Sequence, residues 1–152
     1  MHRLSAEQIN AIVRRLDFLE IELADLPNFK TITQAEYISD RDRRRNLERL
    51  AENVVNATID IGKVLLSATD LPMPDTYREV MIRLGEAGFI SVALAEKLAD
   101  MVRLRNVLAH QYLDIRWPTI ATFVKNAAAT MREFIRSIEH LLDTARSGED
   151  QP

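Results

Sequence analysis

The sequence predicts an all-α protein, folded as an up-and-down bundle of four to five helices. Apolar residues recur at intervals of three and four along most of the chain, and this spacing places them on one face of a helix. Serine or threonine residues stand at the starts of these stretches, where a side-chain oxygen can cap the first N–H groups. No segment shows the apolar and polar alternation that is typical of a strand. A helical bundle is the architecture that such segments favour.

The first two predicted helical regions are long. The first begins at Ser5, the start of a capping box, and ends at Pro27, which cannot continue a helix. The second begins at a similar box at Thr33 and extends to about Ser67. Polar residues around Asp40 leave open whether this second region is continuous, kinked or split.

The rest of the chain divides into a loop and three further helices. Two prolines exclude a helix in the loop, and serine or threonine caps mark two of the three helix starts. In chain order we predict a loop at residues 70–74, a short helix from Thr76 to about residues 85–88, a helix from Ser91 to about Tyr112, and a final helix after a linker through Trp117-Pro118.

The composition is that of one compact domain. A chain of 152 residues with 47% hydrophobic residues can bury a core without covalent crosslinks. We assign residues 1–146 to a single helical domain and residues 147–152 to a polar tail. Cysteine is absent, which excludes disulfides, zinc sites built from thiolates, and cysteine nucleophiles.

Charge and glycine content limit the ligands that the chain can attract alone. The formal net charge is −3, so any contact with RNA needs a local basic site. None of the four glycines forms a phosphate-binding loop, so a nucleotide would have to be presented by a partner. There is no signal-peptide pattern and no uncharged apolar run of membrane-spanning length. We therefore expect a cytoplasmic protein without a membrane contact.

The most informative stretch contains four polar residues near the end of the predicted fourth helix. On a continuous helix Asn106 and His110 would lie about 40° apart, and Arg105 and Tyr112 about 20° apart. One broad face would then present all four together. Apolar residues occupy most other directions, so we expect this helix to be central in the bundle.

Two interpretations of these polar residues follow from the sequence alone. In the first they form a structural network, in which Arg105 pairs with an internal carboxylate and His110 bonds a backbone carbonyl. In the second they face a cleft, because a buried polar group without a partner costs roughly 1–3 kcal/mol. Spacing does not distinguish the two.

The pattern Arg105-Asn106-x-x-x-His110-x-Tyr112 resembles the signature of HEPN proteins, in the form typical of their HepT-like members. The resemblance extends over roughly residues 5 to 143 and includes the stretches 60–62, 74–79 and 84–90. One departure is Val64, because many relatives carry a histidine near this position. We assign no catalytic role there.

This resemblance implies a homodimeric, metal-independent endoribonuclease whose active cleft lies between two subunits. Arg105 would bind the scissile phosphate, and His110 would act as general acid or base. Asn106 would orient these groups or bond the phosphate, or it would only support the helix. Arg103 and Arg116, close to the motif in sequence, are candidates for further RNA contacts. No residue set has the spacing of a metal site, and no cofactor is expected.

The same resemblance implies a toxin of a toxin–antitoxin pair. Its partner would be a minimal nucleotidyltransferase, the antitoxin, which uses ATP to transfer AMP to Tyr112 and thereby silences the toxin. In the alternative interpretation, Tyr112 only anchors the end of its helix. Two rival functions remain open: a non-catalytic binding partner of a nucleotidyltransferase, and a helical scaffold whose polar cluster holds a dimer together.

Overall fold

The computed structural model describes residues 3–148, and in this range the chain is an all-α bundle, as predicted. Five helical regions were predicted, and two of them are divided, so the described part contains seven α-helices and no strand. They are α1 (Ala6–Asp25), α2 (Gln34–Ser39), α3 (Arg41–Ser67), α4 (Tyr77–Glu86), α5 (Val92–Met101), α6 (Leu104–His110) and α7 (Leu113–Ser147), with a 3₁₀ turn at Leu26–Phe29.

The second predicted region is split at Asp40, which settles the question that the sequence left open. Asp40 has an extended backbone (φ −94°, ψ 94°), and its carboxylate accepts a hydrogen bond from the N–H of Arg43 at 3.1 Å. It therefore ends α2 and caps α3. Only half of the box at Thr33 forms: the Thr33 hydroxyl accepts from the N–H of Glu36, whereas the Glu36 carboxylate binds the Arg43 guanidinium at 2.8 Å.

The predicted single helix from Ser91 to Tyr112 is wrong. A turn at residues 102–103 separates α5 from α6, and α6 ends at His110. In a continuous helix the side chains of Val102 and Leu104 would point about 200° apart. Both are almost completely buried, so the turn lets the side chains of these two residues enter the same core.

The predicted linker through Trp117-Pro118 is also wrong, because both residues lie inside α7. Proline removes one helical N–H, which leaves the carbonyl of Asp114 without its usual partner. Asp114 and Pro118 are both exposed, so water can satisfy that carbonyl. The ring of Trp117 packs on Tyr37 with 5.4 Å between ring centres, and this tertiary contact stabilises the start of the helix.

Helix α3 is the centre of the bundle and packs against α1, α2, α4, α6 and α7. It buries twelve residues, more than any other described helix, and several of the largest fully buried side chains belong to it. Gly62 allows α4 to approach closely, since a Cβ there would lie 2.9 Å from Met81 Cε and 3.0 Å from Val80 Cγ1. A side chain at this position would therefore force the side chains of Met81, Val80 and Leu84 to shift.

None of the helices in residues 3–148 is long and apolar enough to cross a bilayer. Helix α7 extends to Ser147, so the first residue of the predicted tail is helical and Gly148 caps it. The remainder of that tail lies outside the described residues.

We predict that Gly62→Val lowers the free energy of unfolding by about 1–3 kcal/mol, because the added methyl groups overpack the α3–α4 contact. The matched control is Gly148→Val, at the end of α7, where a Cβ meets only backbone oxygens at 3.6 and 3.7 Å. Its stability should stay within about 0.5 kcal/mol of the parent. Urea unfolding followed by circular dichroism measures both, and equal stabilities would contradict the close approach.

Candidate active site

The predicted motif lies on the short helix α6 and on the two residues that follow it. Leu104, the first residue of α6, is buried and anchors the helix to the core. Val107 and Leu108 are only partly covered, and the polar residues Asn106 and His110 are exposed. The expectation of a central helix is therefore wrong for α6, which lies at the edge of the described bundle.

Arg105 rests on an aromatic ring instead of an acid. Its guanidinium carbon lies 4.7 Å from the ring centre of Tyr77, the first residue of α4. A cation is attracted to the electron-rich face of such a ring, but the ring does not neutralise its charge. Within residues 3–148 Arg105 forms no ion pair with a carboxylate. The half-buried guanidinium thus keeps its hydrogen-bonding groups available for an anion.

Asn106 and His110 lie one turn apart on α6, and both are exposed. Neither side chain is hydrogen-bonded to another group in the described range. The structural-network interpretation required a carboxylate on Arg105 and a backbone carbonyl on His110, and neither contact is present there. These groups are instead open to solvent, and the cleft of the second interpretation stays a prediction.

Tyr112 lies beyond the end of α6 and caps the start of α7 with an extended backbone (φ −75°, ψ 165°). Its position relative to Arg105 is therefore set by the turn after His110, and the predicted common helix face is wrong. The side chain is 82% exposed and makes no capping hydrogen bond. The alternative in which the Tyr112 side chain anchors a helix end is therefore not supported by the structure.

Arg116 braces the turn that carries the motif. Its Nε–H donates to the carbonyl of Gln111 at 2.6 Å, and its Nη1 donates to Glu48 of α3 at 3.1 Å. Glu48 also accepts from the hydroxyl of Tyr37, whose ring packs on Trp117. These contacts engage Nε and Nη1 of Arg116 within the subunit. They make Arg116 a residue that positions the Gln111 turn, and its contact with RNA stays a prediction.

Tyr37 is the buried end of this network, with no exposed surface. Burial raises the pKa of its hydroxyl well above the usual value of 10.0, and the hydrogen bond to Glu48 and the charge of that carboxylate raise it further. Arg116 and Arg44 oppose the shift. The role of Tyr37 and Glu48 near the motif could not be predicted from the sequence, because no local spacing connects either of them with it.

We predict that the wild-type protein loses stability above about pH 10 relative to Tyr37→Phe. The folded state keeps Tyr37 protonated, whereas the unfolded chain ionises near pH 10, so the stabilisation is complete below that pH and declines above it. The expected decline is about 1.4 kcal/mol per pH unit. Urea unfolding of both proteins across this pH range provides the measurement, and parallel pH dependences would contradict the assignment.

Arg103 lies at the turn between α5 and α6, where it is exposed. It lines a groove of about 750 Å³ between α5–α6 and α7, together with Lys125. Across the same groove Lys97 pairs with Glu133 at 3.5 Å, whereas Arg103 and Lys125 have no ion-pair partner among residues 3–148. In that range no three His, Asp or Glu side chains converge as metal ligands would.

Within residues 3–148 the bundle presents Arg105 without an acid partner, an exposed histidine five residues further along, and an exposed tyrosine two residues after that. The chain belongs to the HepT-like ribonuclease family: the family model described as "Ribonuclease HepT-like" matches residues 6–138.

Similar proteins were found by sequence and by structure. The chain is 29% identical over 139 residues to "tRNA nuclease HepT" of Aphanizomenon flos-aquae, and this alignment covers 91% of this chain and 95% of the relative. It is 28% identical over 94 residues to "mRNA nuclease HepT" of Shewanella oneidensis, covering 62% and 68%. A tri-AMPylated HEPN toxin of that organism, solved in complex with an MNT antitoxin, has a TM-score of 0.74 at 18% identity, covering 86% of this chain and 97% of that one.

Proposed function

We propose that this protein is an endoribonuclease that acts as the toxin of a toxin–antitoxin pair in the cytoplasm. The observation that carries the proposal concerns the side chains of Arg105 and His110. They have no polar partner in residues 3–148 and are accessible to solvent. Membership of the HepT-like ribonuclease family and two relatives named as RNA nucleases support it. A purely structural role would have placed these groups in internal ion pairs and hydrogen bonds.

The chemistry needs no metal or cofactor in this proposal. The ribose 2′-OH attacks the adjacent phosphorus, a new O–P bond forms, and the bond to the 5′-oxygen of the next nucleotide breaks. His110 removes the proton from the hydroxyl or returns one to the leaving oxygen. Arg105 donates to the phosphate oxygens as their negative charge grows. Asn106, one turn from His110, orients these groups or bonds the same phosphate.

A homodimer would complete the site, because one histidine cannot hold and release a proton on both sides of the phosphorus at once. A second copy of the chain supplies a second His110, so that one acts as base and the other as acid. Exposed apolar surface beside the motif supports this arrangement: Ile115 is 50% exposed, and Val107 and Leu108 are only partly covered. Contact with an identical surface would bury these groups.

We predict that His110→Ala reduces the rate of RNA cleavage by about 10²- to 10⁴-fold, because proton transfer at both oxygens is lost. His140→Ala is the matched control, since His140 is exposed on α7 and outside the motif. Purified proteins are incubated with mixed cellular RNA, with and without EDTA, and the products are separated on gels. Cleavage that requires a divalent metal would contradict the mechanism. Binding to the antitoxin without any cleavage would favour the non-catalytic partner.

Tyr112 is the proposed site of silencing by a minimal nucleotidyltransferase antitoxin. Its phenol oxygen would attack the α-phosphorus of ATP held by that partner, pyrophosphate would leave, and a base on the partner would take the phenol proton. An exposure of 82% makes the oxygen accessible to another protein. The attached adenylate adds negative charge close to Arg105 and competes with RNA for it. The solved complex of a tri-AMPylated HEPN toxin with its MNT antitoxin supports this proposal.

We predict that Tyr112→Phe abolishes adenylate transfer, because phenylalanine has no nucleophilic oxygen. The protein is incubated with ATP and the minimal nucleotidyltransferase proposed as its antitoxin, and its intact mass is measured. Tyr37→Phe is the control and should still gain adenylate, because Tyr37 is buried. An adduct that persists in Tyr112→Phe would refute the acceptor, and the RNA cleavage of wild-type protein should fall as the adduct accumulates.

A further inference from the structure

Two cations share the ring of Tyr77. The guanidinium of Arg105 lies 4.7 Å from the ring centre, and the ammonium of Lys63 lies 5.2 Å from the same point. The three residues come from α6, α4 and α3, so the ring lies where three helices meet. Gly62, immediately before Lys63, is the residue that lets α4 approach α3. The packing of the core therefore places Lys63 beside the motif arginine.

The two positive charges are not neutralised within the described residues. Lys63 and Arg105 both lack an ion pair in residues 3–148. The nearest acid in sequence on α3 is Asp60, which pairs with Arg15 at 3.8 Å. Both cations lie within 5.2 Å of one ring centre, so their like charges are near enough to repel each other, and the ring compensates only part of that repulsion. An anion between or beside the cations would stabilise the arrangement.

We infer that Lys63, held with Arg105 by Tyr77, forms a second phosphate-binding subsite of the same active cleft. Arg105 takes the scissile phosphate of the RNA, and Lys63 takes an adjoining phosphate of the same strand. The inference rests on the proposed nuclease function. It deepens that function, because it assigns to Lys63 a contact with the RNA backbone and to Tyr77 the positioning of both cations.

The chemistry of the two cations suits their separate roles, with Arg105 on the scissile phosphate and Lys63 on an adjoining one. A guanidinium binds one phosphate with two parallel hydrogen bonds, which fixes the orientation of the reacting group. An ammonium on a flexible stem acts as a point charge and tolerates a phosphate in several positions. Lys63 is partly exposed, so its ammonium can reach solvent and a ligand while it stays near the ring. Such a contact binds RNA regardless of base sequence.

Lys63→Ala should weaken the binding of a short fluorescein-labelled RNA of mixed sequence by about tenfold, measured by fluorescence anisotropy. The slope of log affinity against log KCl concentration should fall by about 0.7 to 0.9, which corresponds to one phosphate contact. Lys30→Ala is the matched control. It removes an equal charge beside the 3₁₀ turn, which packs on α1, α3 and α7, and its slope should equal that of wild type.

Two variants of Tyr77 test its positioning role. Tyr77→Leu removes the ring and should raise the KM for RNA more than it lowers kcat, with the same loss of salt dependence as Lys63→Ala. Tyr77→Phe keeps the ring, so its KM for RNA and its salt dependence should return toward the wild-type values. If the hydroxyl were the important group, Tyr77→Phe would be as impaired as Tyr77→Leu. Circular dichroism and thermal unfolding establish that each variant is folded.

Binding of inorganic pyrophosphate separates failure of this subsite from failure of the nuclease proposal, because it requires no cleavage. Wild-type protein should bind pyrophosphate by isothermal titration calorimetry, and Lys63→Ala should bind it more weakly than Lys30→Ala does. If wild type binds pyrophosphate in this pattern but cleaves no RNA, the nuclease proposal fails and the anion site remains. If RNA is cleaved but Lys63→Ala matches Lys30→Ala with both probes, the subsite is refuted.

Discussion

The contact between the guanidinium of Arg105 and the ring of Tyr77 is the interaction on which the site depends. An acid in place of the ring would hold the arginine equally well, but it would also occupy the hydrogen bonds that a phosphate needs. The ring attracts the cation and leaves its N–H groups free. Because no carboxylate pairs with Arg105 in residues 3–148, the fold keeps a half-buried positive charge ready for a ligand.

Helix α3 positions this site at two points along its length. Glu48 binds Arg116 and so holds the turn at Gln111, whereas Lys63 lies beside the ring of Tyr77 and the preceding Gly62 contacts α4. These two points are about 22 Å apart along one helix axis. Helix α6 itself buries only its first residue fully, so its geometry is imposed by neighbours. The central helix of the core thereby serves as the rigid frame for a motif carried by a peripheral one.

Local signals predicted the parts of the fold that depend on neighbouring residues. The caps at Ser5, Thr33, Thr76 and Ser91 all form, because each requires only a side-chain oxygen and an N–H three residues further along. The division between α5 and α6 was not predictable in this way. It depends on whether Val102 and Leu104 reach the same core, and that is a property of the packed bundle.

The sequence by itself determined the helical class of the fold and the presence of a motif with Arg105, His110 and Tyr112, because periodicity, caps and a short motif are encoded within a few turns of the chain. Only the tertiary structure decided what surrounds those residues. Tyr77 and Glu48 are distant from the motif in sequence, and no spacing rule relates them to it. Tyr77 and Glu48 lie near the motif because the apolar faces of their helices pack together. Burial of those faces also brings the polar residues of the same helices together.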